Sequence, residues 1–155
     1  MQSIRIAAAL IIAGLVGIAL PVQAQVVVTD AWVRGTVTGQ KVTGAFMQLK
    51  APADMALVAV SSPVAKIVEI HEMKHEGGMM RMNAVDKVAL PAGKVVEMKP
   101  GGFHVMLMDL VAPLNAGETV SLQLTFEDRA GKKQTLEVKV MVRAINNSGP
   151  APAPK

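Results

Sequence analysis

The chain contains no cysteine and no tyrosine, and only one tryptophan and three phenylalanines among its 155 residues. Without cysteine there can be no disulfide, no thiolate nucleophile, no haem attached through cysteines and no metal site built on thiolate. A soft metal could then be held only by thioethers and imidazoles. Histidines number three and charged residues make up 18% of the chain, with a formal net charge of +4. That charge falls to +3 once Arg5 is set aside with the leader described below. So small an excess, without arginine clusters and with hardly any aromatic rings to stack on bases, gives no footprint for nucleic acid.

Long apolar runs are also lacking, except at the start. Arg5 supplies a short positive beginning, Ile6 to Leu20 is apolar, and Val22-Gln23-Ala24 has the small residues of a cleavage site, so residues 1–24 read as a secretory signal peptide. A retained membrane anchor is the competing reading, but the run is about 15 residues against the ~20 needed to span a bilayer. Export places the mature protein, beginning at Gln25, in the periplasm. What remains is about one domain, long enough to close a single core.

Beyond the leader, short alternating segments recur between Gly, Pro and Asn breaks, and no segment keeps a helical period. Strands are expected at Ala31 to Val33, Thr43 to Leu49, Leu57 to Ser61, Ile67 to Met73, Met79 to Asn83, Val95 to Met98, Phe103 to Met108, Thr119 to Phe126 and Gln134 to Val142. The breaks include Ser62-Pro63, Pro100-Gly101-Gly102, Pro113 to Gly117 and Asp128 to Gly131. The pattern predicts an all-β sandwich or barrel of Greek-key type over residues 25–143. Residues 144–155, "AINNSGPAPAPK", alternate proline with small residues and are expected to form an extended tail without a core.

What the sequence does have is methionine. Ten of the eleven lie beyond the leader, and seven of those fall between Met73 and Met108; all three histidines lie between His71 and His104, in nearly the same stretch. Methionine alone usually means packing or an adaptable apolar surface. The histidines change the argument. His71 and Met73 stand at i, i+2, as do His104 and Met106, so each of two strands shows an imidazole and a thioether on one face. That donor set favours Cu(I) over Zn, Mg or Ca. "IVEIHEM", "KHEGG" and "MMRMNAV" read as a hairpin turning at Gly77-Gly78, with His75 in the loop and exposed. A register in which paired numbers sum to 153 sets His71 opposite Met82 and Met73 opposite Met80, all on one face. Since His71 precedes a turn and His104 follows Pro100-Gly101-Gly102, the site is expected at an exposed end of the sandwich.

The spacing His71, ten residues, Met82, twenty-one residues, His104, one residue, Met106 matches the H-x10-M-x21-H-x-M motif of the periplasmic copper chaperones associated with the CuA centre of cytochrome c oxidase. "DAWVRGT", "GAFMQL", "VEIHEM" and "PLNAGETVSLQLTFEDRAG" also resemble that family, and the likeness runs from about Asp30 to Arg143. The resemblance implies a cupredoxin-like fold with Cu(I) on His71, Met82, His104 and Met106, and Met73 as a neighbouring or substitute thioether. It implies a copper-accepting partner, a periplasmic or membrane-bound oxidase assembly factor or subunit. Some family members add Cu(II) ligands from a His- and Met-rich C-terminal extension; the tail here has neither residue. Copper storage or resistance would need the same site, and a structural β-sandwich with a methionine-rich partner surface is the reading without metal. An enzyme is disfavoured, because three histidines are few for copper redox catalysis.

Overall fold

A computed structural model describes residues 25–145, in which ten strands and no helix are present. The expected signal peptide, and the expected tail from residue 146 onward, lie outside the described residues. No helix among the described residues is long and apolar enough to cross a membrane.

The strands are β1 (Val27–Arg34), β2 (Val42–Lys50), β3 (Met55–Ser61), β4 (Ala65–Glu76), β5 (Met79–Ala84), β6 (Val88–Leu90), β7 (Val95–Met98), β8 (Phe103–Leu110), β9 (Thr119–Asp128) and β10 (Lys133–Arg143). They form one open hydrogen-bonded path, β5-β4-β8-β2-β1-β10-β9-β3-β6, with β7 joined to β2. β9 shows why: Val120, Leu122, Leu124 and Phe126 are buried, and Ser121, Gln123 and Thr125 alternate with them on the other face. A single apolar cluster takes such residues from all of β1 to β4 and β6 to β10, while β5 contributes none. The sheet therefore bends around one core, with β5 projecting from it. The bend shows in β1, which pairs parallel with β10 through Trp32 to Arg34 and antiparallel with β2. Its register to β2 slips between Thr29 and Trp32, where Asp30 takes φ 48°, a bulge that sharpens the local twist.

All nine expected strands are present, most of them longer by one to four residues at an end. β6 was not anticipated. It is only three residues long, too short for a period to show, yet Val88 and Leu90 are buried with Ala89 exposed between them.

The β4–β5 hairpin differs in register from expectation. Gly77 and Gly78 have φ of 58° and 79°, so both occupy the left-handed region and form a two-residue turn that closes Glu76 on Met79. The pairs then sum to 155, not 153: His71 faces Ala84, Met73 faces Met82, and His75 faces Met80. A slip of two leaves every side chain on its expected face, because the strand period is two. His75 belongs to β4, not to a loop, and it is exposed as expected.

Candidate metal centre

β4 and β8 are neighbours, and His71 lies directly opposite His104. Inward on β8, Val105 and Leu107 enter the core; outward stand His104, Met106 and Met108. Because opposed residues share a face, His71 and Met73 of β4 and Met82 of β5 lie on this same outer surface. The four motif residues thus come together on one sheet face. That face lies beside the projecting β5, where β4 runs on beyond Ile70, its last core residue. His104 is the second residue of β8, as its place after Gly102 suggested, but His71 is in the middle of β4.

The outer surface is organised in rows across the strands. One row runs Trp32, Phe46, His104, His71, with ring centroids 4.5, 6.3 and 6.0 Å apart in turn. Arg34 lies over Phe46 at 5.4 Å and Arg143 over Trp32 at 5.0 Å, so two cations cover the aromatic end. The next row places Gly44 opposite Met106 and Met106 opposite Glu69. Gly44 has to lack a side chain: a Cβ there would stand 2.9 Å from Cζ of Phe46. Its absence lets the ring lie across the strand and leaves open a cleft of about 260 Å³ lined by Gly44, Phe46, Met73, Met82, His104 and Met106, with Pro100 and Gly101 at its rim.

Two hydrogen bonds fix which nitrogen of each imidazole is free. His104 Nδ1 lies 3.0 Å from the carbonyl of Gly102. A carbonyl only accepts, so Nδ1 carries the proton and Nε2 keeps its lone pair. His104 is 4% exposed, which holds the ring in place. His71 Nε2 donates in the same way to the Glu69 carboxylate, 2.8 Å away. Its Nδ1 is buried and has no hydrogen-bond partner. An orphaned buried acceptor is costly unless something fills it. A carboxylate or carbonyl behind each histidine is the usual outer support of a metal-bound imidazole.

These residues can hold a soft cation. Two imidazoles with centroids 6.0 Å apart, and the thioethers of Met82, Met106 and Met73 in the cleft that His104 lines, offer donors that suit Cu(I) and that hard oxygen-seeking ions disfavour. Among the described residues no group of three or more His, Cys, Asp or Glu side chains is placed to share an ion. His71 does not line the cleft itself, but reaches it through its ring contact with His104. Exposure rises from His104 at 4% to Met82 at 45%. Phe46, Gly44, Arg34 and Glu69 were not singled out from the sequence, although all four sit in the segments "DAWVRGT", "GAFMQL" and "VEIHEM" that carry the family resemblance.

A family model described as "LpqE-like: Putative lipoprotein LpqE-like" matches residues 26–142, almost the whole described domain. This chain belongs to the LpqE-like family. Among its relatives, "Putative lipoprotein Lxx21020" of Leifsonia xyli subsp. xyli is 35% identical over 152 residues, covering 90% of each chain. Of solved structures, "CuI-DR1885" from Deinococcus radiodurans is 31% identical, with a TM-score of 0.56 over 84% of this chain and 83% of that one. The "Copper-bound PCuAC domain from PmoF2" is 24% identical, with a TM-score of 0.62 over 78% and 94%. The second likeness shows the fold: this LpqE-like chain has the all-β, cupredoxin-like fold of PCuAC domains. The word lipoprotein comes with the names of the family and of this relative.

Proposed function

We propose that this LpqE-like protein is a periplasmic copper chaperone of Greek-key cupredoxin-like fold, which binds Cu(I) through His71, Met82, His104 and Met106 and delivers it to a partner. The observation that carries this reading is the pairing of His71 with His104 on the sheet face that also bears Met82 and Met106. The likeness to a protein solved with CuI at 31% identity supports the metal and its oxidation state. The motif resemblance supports delivery towards cytochrome oxidase assembly. A leader-like start and a family named for lipoproteins support location in the cell envelope.

Release proceeds by ligand exchange, with no substrate bond made or broken. Thioethers bind without losing a proton, so an incoming ligand displaces them without acid–base help. Met82, the exposed donor, leaves first; His104, buried and tied to Gly102, leaves last. Glu69 acts behind His71 by holding Nε2–H and keeping Nδ1 aimed inward. Glu69→Ala is expected to weaken Cu(I) binding about 10–100-fold, the range for outer supports of metal-bound histidine. Competition with a Cu(I) chelator measures it, and an unchanged affinity would remove Glu69 from the site.

Transfer kinetics test the chaperone reading. The rate of Cu(I) passage to a methionine- and histidine-bearing acceptor is expected to rise with acceptor concentration and to exceed spontaneous release. A rate fixed at the dissociation rate would assign the protein to storage or buffering. Failure to retain copper through gel filtration would leave the methionine surface as a plain partner-docking face.

A further inference from the structure

The outer face of the β4–β5 hairpin continues past the four motif residues. Along β4 it shows His71, Met73 and His75 in succession, and along β5 Ala84, Met82 and Met80 opposite them. Each step along the strands is two residues, about 7 Å. The Met73–Met82 pair therefore lies between the inner histidines and an outer His75–Met80 pair. In that outer pair Nδ1 of His75 is 2.8 Å from Sδ of Met80. Both residues are exposed, Met80 by 54%. The hairpin register brings them opposite each other, and a methionine and histidine so exposed gain little for folding, which leaves both donors available to a ligand.

We infer that His75 and Met80 form a second Cu(I) position at the tip of the hairpin, outside the motif and joined to it through Met73 and Met82. This rests on the reading of the inner site as a Cu(I) site. With the ring proton on Nε2, the Nδ1 lone pair of His75 and the Met80 sulfur take the ion. No proton leaves the protein and no oxidant is required. With only one imidazole and exposed thioethers, this position binds more weakly than the inner one. It stands where an acceptor meets the molecule first.

Anaerobic titration of the full chain with Cu(I), followed by NMR of histidine ring and methionine methyl resonances, separates the two sites. The first equivalent is expected to move His71, His104, Met82 and Met106, and the second to move His75 and Met80. The double variant His75→Ala, Met80→Leu is expected to bind one equivalent with the inner shifts intact. Both changes are on the exposed face of a hairpin whose Gly77-Gly78 turn is kept, so unchanged resonances elsewhere report an intact fold. If the second equivalent leaves His75 and Met80 unmoved, if wild type stops at one equivalent, or if the double variant still takes two, the outer position does not exist. If the first equivalent leaves His71 and His104 unmoved, it is the inner-site reading that fails.

Discussion

His104→Asn is expected to lower Cu(I) affinity by more than about 100-fold, beyond the 10–100-fold range typical of losing an outer support alone. The asparagine amide occupies the place of Nδ1 and can still donate to the Gly102 carbonyl, so the loop that follows Pro100 keeps its anchor. What disappears is Nε2, the lone-pair nitrogen opposite His71, together with the ring that continues the Phe46 row. Loss of that packing should cost about 1 kcal/mol of stability. The two effects are measured apart, by chelator competition for affinity and by urea unfolding for stability. A variant that bound Cu(I) as tightly as wild type would take His104 out of the ligand set.

Phe126→Ala should do the reverse. Phe126 is fully buried on β9, paired across the sheet with Leu57 and Gln134, and three strands separate β9 from β8 along the hydrogen-bonded path. Removing a buried phenylalanine side chain leaves a cavity and costs about 3–5 kcal/mol. It touches none of the donors, and distant sites without shared partners act independently. Urea unfolding should show the full loss, while Cu(I) affinity, measured on the folded fraction, stays within about twofold. A large fall in affinity would mean that the core and the outer face are mechanically coupled, contrary to the picture of a rigid apolar scaffold carrying a separate site.

The strands were readable because each buries one face and solvates the other, as the Val120 to Phe126 alternation shows. β6 escaped because three residues cannot display a period. The ligand residues were readable from spacing, but their partners were not. Parity put His71, Met73, His104 and Met106 on outward faces, whereas the His71–His104 pairing depends on β4 and β8 meeting, a long-range choice made by the shared core and not by local sequence. The hairpin register depends on whether Gly77 and Gly78 alone form the turn. Once they do, Met82 faces Met73 and His75 faces Met80, which is how an outer His–Met pair arises that the spacing motif does not contain. Gly44 and Phe46 were hidden for a similar reason, since the need for a bare Cα under the ring is visible only when the ring is in place. Glu69 sits two residues from His71, and that spacing was available in the sequence as a carboxylate on the histidine's own face.

The central claim, that one sheet face supplies two imidazoles and two thioethers to one ion, is tested most directly by X-ray absorption at the copper edge. The full chain is loaded anaerobically with one equivalent of Cu(I), which fills the stronger inner position first. The predicted spectrum is that of Cu(I) with two nitrogen and two sulfur neighbours, and a shell of nitrogen and oxygen without sulfur would contradict it.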